Sequence, residues 1–209
     1  MAKLYFRYGN VGSAKTLNLL TVAHTYRIQQ RQVYLIKPAI DNRFGENCIK
    51  SRAGLEDDAD LIVNDFSRIN PQELIGMSCI LVDEAQFLSR FVVDQLRSIT
   101  MDYDIPAICY GLRTNFRSEL VEGSKRLLEV ADAIEEIKTT CYFCNRKGLF
   151  NLKQVNGVAT LDGPVIDLGA EEKYVPACAY CYKEKTKPLA SVTDQQTLFD
   201  SYEQNHDWI

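Results

Sequence analysis

The stretch Leu4-Tyr5-Phe6-Arg7-Tyr8-Gly9-Asn10-Val11-Gly12-Ser13-Ala14-Lys15-Thr16 decides how this 209-residue chain is read. Leu4 to Tyr8 reads as a strand, and Gly9 to Thr16 is small and polar. Leu19, Val22, Ala23 and Tyr26 then recur three or four apart, which predicts a helix from about Lys15 to Gln29. In a strand, turn and helix of this order, backbone N–H groups and a helix N-terminus converge on an anion. Gly9, Asn10, Val11, Gly12, Ser13, Ala14, Lys15 and Thr16 are therefore candidate phosphate-binding residues. Lys15 would reach the β and γ phosphates of ATP, and the Thr16 hydroxyl would bind the accompanying Mg2+. The usual pattern places glycine before the lysine, whereas Ala14 stands there in this chain. A Cβ at that point opposes a backbone angle that glycine takes freely.

Outward from this loop, Val33 to Lys37, Cys79 to Val82 and Ile105 to Tyr110 are short, nearly all-apolar runs, as expected of strands covered on both faces. Helical stretches are predicted over Phe91 to Thr100 and Glu119 to Ala131, with a last strand over Ala133 to Thr139. The predicted fold is α/β, a mostly parallel P-loop (RecA-like) sheet with helices on both faces. The acidic run Glu56 to Asp60 reads as a solvated loop.

The run Cys79 to Val82 ends in Asp83-Glu84, and carboxylates at the C-terminal end of a parallel strand lie where ligands of open α/β sheets bind. Neighbouring strand residues face opposite sides, so Asp83 is assigned to magnesium beside Thr16 and Glu84 to general-base work on the acceptor.

Beyond Thr140 the chain changes to turn residues, cysteines and β-like pieces such as Thr160-Leu161 and Val165-Ile166. Cys141-Tyr142-Phe143-Cys144 and Cys178-Ala179-Tyr180-Cys181 are two pairs, each with two intervening residues, the spacing of a structural zinc site built from four cysteines. Cys48, Cys79 and Cys109 are scattered and read as small hydrophobes; His24 and His206 read as structural or solvated. The expected organisation is a nucleotide-binding α/β domain over 1–140, a zinc-ribbon lid over 141–188 and a polar, partly disordered tail over 189–209.

With 24 basic and 28 acidic side chains the formal net charge is −4, which gives no general attraction to nucleic acid or to an anionic membrane. Lys3 and Arg7 interrupt the apolar opening, and no run approaches the roughly 18 apolar residues of a spanning helix, so a cytoplasmic protein is expected. The residues alone leave three readings open: a kinase, an ATPase that delivers the phosphoryl group to water, and a non-catalytic zinc-ribbon protein with a degenerate phosphate loop.

Asp41-Asn42-Arg43-Phe44, Ser51-Arg52, Val82-Asp83-Glu84-Ala85-Gln86-Phe87, Tyr110 to Arg117, the paired cysteines and Lys173-Tyr174, taken with the phosphate loop, resemble the zinc-containing thymidine kinases. The resemblance runs from about Leu4 to Cys181. It implies transfer of the γ-phosphoryl of ATP to the 5′-hydroxyl of thymidine or deoxyuridine, by a homotetramer subject to feedback by thymidine triphosphate. It makes Glu84 the base, Asp41 and Asp83 aids to the metal, and Arg43 a neighbour of the transferring phosphates. It further implies a lasso whose backbone around Val165, Asp167, Leu168, Gly169 and Ala170 holds the base. Gln86, Phe87, Leu112, Phe116 and Tyr174 would line the nucleoside pocket. Family members often carry Gly-Gly where this chain has Gly169-Ala170.

Overall fold

The computed structural model describes residues 1–165 and 174–187. Six parallel strands form its central sheet: β1 (Leu4–Tyr8), β2 (Gln32–Pro38), β5 (Leu61–Val63), β6 (Met77–Val82), β7 (Ala107–Gly111) and β8 (Ala133–Glu136). Their order across the sheet is β5-β2-β6-β7-β1-β8. The apolar runs are continuous because both faces are covered. Leu35, Cys79 and Leu81 pack with Leu19, Leu20 and Ala23 of α1 (Lys15–Ile28) on one face. Ile36, Ile80 and Val82 pack with Val92, Val93 and Leu96 of α2 (Arg90–Asp102) and Leu127 of α3 (Glu122–Val130) on the other. At α3, a Cβ on Gly123 would sit 2.3 Å from the Ala85 carbonyl, so the bare backbone lets this helix press on the turn that carries Glu84. The Ser89 hydroxyl caps α2 by accepting from the Val92 N–H.

The acidic run is not simply a loop. Strand β4 (Glu56–Asp58) pairs antiparallel with β3 (Cys48–Lys50), with Lys50 on Glu56 at 2.6 Å and Arg27 on Asp57. Charge pairing across the strands and onto α1 orders the run, while Glu56, Asp58 and Asp60 stay exposed as expected. Ile49 of β3 buries itself among the α1 side chains.

The cysteine-bearing segment contains a three-stranded antiparallel sheet, β9 (Phe150–Val155), β10 (Val158–Ala159) and β11 (Tyr174–Ala177), in the order β10-β9-β11. Asn156 and Gly157 both have positive φ, 51° and 77°, and make the tight two-residue turn between β9 and β10. The strand therefore falls on Val158–Ala159, before the Thr160-Leu161 piece expected to be β-like, and the long β9 was not foreseen. Helix α4 (Ala179–Thr186) carries Cys181, in a stretch of the lid for which the sequence predicts no helix. Ile166 and the expected tail over 189–209, with His206, lie outside the described residues. Among the described residues no helix is long and apolar enough to cross a membrane.

Candidate active site and thiolate cluster

Four loops meet at the C-terminal edge of the sheet, following β1, β2, β6 and β7. The loop after β1 turns tightly: Ser13 N–H donates to the Asn10 carbonyl at 3.1 Å, and a Cβ on Gly9 would come within 2.3 Å of Ser13 Oγ. Lys15 is buried and its ammonium donates to the Asn10 carbonyl at 2.8 Å. Burial lowers its pKa, against the raising influence of Glu84 and Asp83.

Ala14 adopts φ 62° and ψ 32°, the left-handed conformation that glycine would take without penalty. For an L-residue this costs about 1–2 kcal/mol. Glycine in turn adds freedom to the unfolded chain, worth about 0.4–1 kcal/mol. Replacing Ala14 by Gly is therefore expected to stabilise the protein by up to about 1 kcal/mol, a rise of roughly 2–4 °C in melting temperature for a chain of this size. Thermal melting of the two proteins checks this; an unchanged or lower midpoint contradicts it.

After β6, Asp83 is buried and its carboxylate accepts from Thr16 Oγ1 at 3.0 and 3.2 Å. Burial, reinforced by the charge of Glu84, pushes Asp83 up to about 7. A carboxylate held out of water at this cost, with a hydroxyl beside it, is a hard-oxygen pair that fits a magnesium ion.

The strand ends at Val82, so alternation along a strand does not set the direction of Glu84. Instead Glu84 sits at φ 47°, and this left-handed turn, not the strand pleat, aims its side chain into the cavity. Its two carboxylate oxygens are both engaged. Arg43 donates to Oε1 at 2.6 Å, and the Gln86 amide donates to Oε2. Gln86 is fully buried, and its own Oε1 accepts from Leu112 N–H at 2.9 Å, tying the β6 turn to the end of β7.

The loop after β2 supplies Asp41 and Arg43, joined at 2.6 Å. Beneath them Lys37 is 1% exposed and donates to the Cys48 carbonyl at 2.8 Å and the Gly45 carbonyl at 3.3 Å, with Asp41 at 3.8 Å. This buried cation pins the loop that presents Arg43.

These loops and the smaller sheet enclose a cavity of about 240 Å3. Of the residues expected from the sequence, Val11, Gly12, Ala14, Lys15, Thr16, Arg43, Glu84, Gln86, Phe87, Leu112, Phe116, Val165 and Tyr174 line it. Gly9, Asn10, Ser13, Asp41 and Asp83 do not line it; Asn10, Asp41 and Asp83 bond to the lining residues Lys15, Arg43 and Thr16. Asp167, Leu168, Gly169 and Ala170 lie outside the described residues. Phe116 and Tyr174 pack with ring centroids 6.0 Å apart, and Lys153 Nζ lies 4.9 Å from the centre of the Phe116 ring. Lys50, Ala53, Asn115, Val121 and Asn151 also line the cavity and were not foreseen. Lys50 and Ala53 arrive through the β3–β4 pairing. Asn115 and Asn151 are buried amides in segments where polar residues read as surface.

Cys141, Cys144, Cys178 and Cys181 come together with their sulfurs all within 4.8 Å of one another. Cys144 Sγ is 3.7 Å from Cys178 Sγ and 3.8 Å from Cys181 Sγ. A tetrahedron with metal–sulfur bonds of about 2.3 Å has edges of about 3.8 Å, so these separations fit a single zinc ion. Backbone N–H groups add to the fit. Burial pushes the Cys141 thiol up, but N–H groups, including that of Phe143 at 3.4 Å, outweigh it and bring Cys141 down to about 6. The Cys181 N–H, 3.4 Å from Cys178 Sγ, lowers Cys178 in the same way. Cys79 and Cys109 are buried in the sheet, as expected; Cys48 is half-buried in β3 and His24 is exposed.

The thymidine kinase family model matches residues 2–182. A thymidine kinase of Lactiplantibacillus plantarum is 41% identical over 184 residues, covering 87% of this chain and 96% of that protein. A thymidine kinase of Haemophilus influenzae is 43% identical over 190 residues, covering 88% and 98%. A third relative, the thymidine kinase of Enterococcus faecalis, is 41% identical over 187 residues, covering 87% and 95%. A match of this extent, on a chain whose phosphate loop, Glu84 and four-cysteine cluster fold together as described, places the protein in the thymidine kinase family.

Proposed function

We propose that this chain transfers the γ-phosphoryl group of ATP to the 5′-hydroxyl of thymidine or deoxyuridine. The observation that carries this reading is the shared cavity, in which Lys15 and Thr16 of the phosphate loop face Glu84 across a space also walled by Tyr174 and Phe116. In this reading the nucleoside lies between Glu84 and the smaller sheet, with ATP over the loop. Residues 1–140 serve as the nucleotide-binding part and 141–188 as a zinc-held lid. The family reading extends to a cytoplasmic homotetramer inhibited by thymidine triphosphate.

The step balances simply. The 5′-oxygen attacks the γ-phosphorus, its proton passes to the Glu84 carboxylate, the bond to the β,γ-bridging oxygen breaks, and ADP leaves with that electron pair. Each carboxylate oxygen keeps a lone pair beyond the one given to Arg43 or Gln86, so Glu84 is oriented without losing its capacity to accept a proton. Lys15 and Arg43 supply positive charge to the transferring group. Asp83 and Thr16 would hold a magnesium ion, which when bound neutralises phosphate charge. A zinc ion on the four cysteines would have no open position and would serve structure alone.

A base held by backbone groups would discriminate strongly. Thymine offers an acceptor, a donor and an acceptor along its pairing edge, whereas cytosine presents a donor in place of O4, leaving buried groups unpaired at about 1–3 kcal/mol each. Initial rates of ATP turnover with thymidine, with deoxycytidine and with no nucleoside check the reading. Turnover is expected with thymidine and about tenfold or more below that with deoxycytidine. Equal turnover in all three would mark an ATPase and overturn it.

A further inference from the structure

Among the buried side chains of the cavity, Asn151 has no part in the chemistry above yet touches both sides of the site. Asn151, the second residue of β9, is only 2% exposed. Its Oδ1 accepts from the Val11 N–H of the phosphate loop at 2.9 Å, and its Nδ2 donates to the Thr114 carbonyl at 2.9 Å. The orientation of this amide is dictated by its partners, since a backbone N–H only donates and a carbonyl only accepts. Thr114 leads directly into Asn115 and Phe116 of the cavity wall, and Phe116 packs on Tyr174 of β11. A single side chain of the smaller sheet thus bridges the loop that would cradle ATP and the wall that would hold the nucleoside. Two residues further along β9, Lys153 donates to the Asp162 carbonyl at 3.2 Å, tying the same strand to the start of the expected lasso.

We infer that Asn151 is a positioning residue that couples the two substrates, so that each tightens the binding of the other. The inference rests on the kinase reading, with the nucleoside beneath the smaller sheet. A nucleoside that fixes this sheet fixes Asn151, and Asn151 then holds the Val11 N–H and the loop around it in place before ATP arrives. ATP binding to a loop already ordered loses less freedom, and by linkage the effect is reciprocal. Leucine at this position matches the shape but can neither donate nor accept. Aspartate keeps an acceptor for Val11 and loses the donor for Thr114.

Calorimetric titration of the zinc-loaded full chain tests this. Thymidine affinity is measured with and without a saturating non-hydrolysable ATP analogue and magnesium, for wild type, Asn151→Leu and Asn151→Asp. Wild type is expected to bind thymidine about fivefold or more tightly when the analogue is present, the lower end of ordinary coupling between sites. In Asn151→Leu the ratio is expected to fall to near one, and in Asn151→Asp to fall well below wild type while zinc content is kept. The coupling ratio separates this role from general damage, which weakens thymidine binding alike with and without the analogue. Should the leucine variant fail to fold, the aspartate variant decides. Wild type that binds thymidine with a ratio of one, or an aspartate variant that keeps the wild-type ratio, overturns the inference alone. Failure of wild type to bind thymidine overturns the kinase reading and this inference with it.

Discussion

Replacing Glu84 by Gln is expected to lower thymidine-dependent turnover by about 10²- to 10⁴-fold, the usual range for a positioned general base. Glutamine matches glutamate in size and retains a carbonyl oxygen to accept from Arg43 or Gln86, but it cannot take up the 5′-hydroxyl proton. The loss should therefore fall on kcat, with the KM for thymidine changed little. The left-handed turn at Glu84 is expected to persist, because Gly123 and Gln86 hold it from both sides. Steady-state kinetics with thymidine varied at saturating ATP check this. Turnover within about threefold of wild type would remove Glu84 from the base position, since no general base is worth so little.

The second large effect belongs to the thiolate cluster. Cys144→Ser is expected to empty the zinc site and raise the KM for thymidine about tenfold or more, which requires the loss of only about 1.4 kcal/mol of nucleoside contact. Zinc binding in finger-like units is worth about 10–16 kcal/mol, so its loss is ample to loosen the small sheet. That sheet presents Tyr174 to the cavity, Asn151 to Val11 and Thr114, and Lys153 to Phe116, and the Tyr182 hydroxyl of α4 donates to the Phe116 carbonyl at 2.5 Å. Lys15 and Thr16, by contrast, open helix α1, and Asp83 follows β6 of the large sheet. The KM for ATP is expected to rise less, through the Asn151 hydrogen bond to the phosphate loop. Metal analysis and paired KM measurements check the asymmetry. Equal rises in both constants would contradict the division between sheet-held phosphate residues and lid-held nucleoside residues.

The parts of the fold visible in the sequence are those where one pattern has one physical cause. The runs Val33 to Lys37, Cys79 to Val82 and Ile105 to Tyr110 are nearly all apolar because α1 covers one face of the sheet and α2 and α3 the other. The two cysteine pairs were legible because a single C-x2-C also suits a redox dithiol, whereas two such pairs together supply the four ligands of a tetrahedral metal site. Strand β9 escaped notice because its polar residues face inward. Asn151 and Lys153 are buried with partners on distant segments, Val11, Thr114 and the Phe116 ring, and nothing local signals such partners. Lys37 escaped for the same reason, as its ammonium is satisfied by the Gly45 and Cys48 carbonyls of a later loop. Glu84 was expected in the site, but through the pleat of a strand; the strand instead ends at Val82, two residues before Glu84, where the backbone turns left-handed. The exposure of the acidic run was legible but its strand was not, because Lys50 and Arg27, which pair with it, become neighbours only through the β3–β4 pairing and α1.

One chamber is proposed to hold both substrates, lined by the phosphate loop and by Glu84. Inhibition by adenosine and thymidine joined through their 5′ positions by a polyphosphate bridge tests that claim most directly. The expected result is competition with both ATP and thymidine, at concentrations below those needed for either nucleoside half alone. Competition with one substrate and indifference to the other would place the two sites apart and contradict the account.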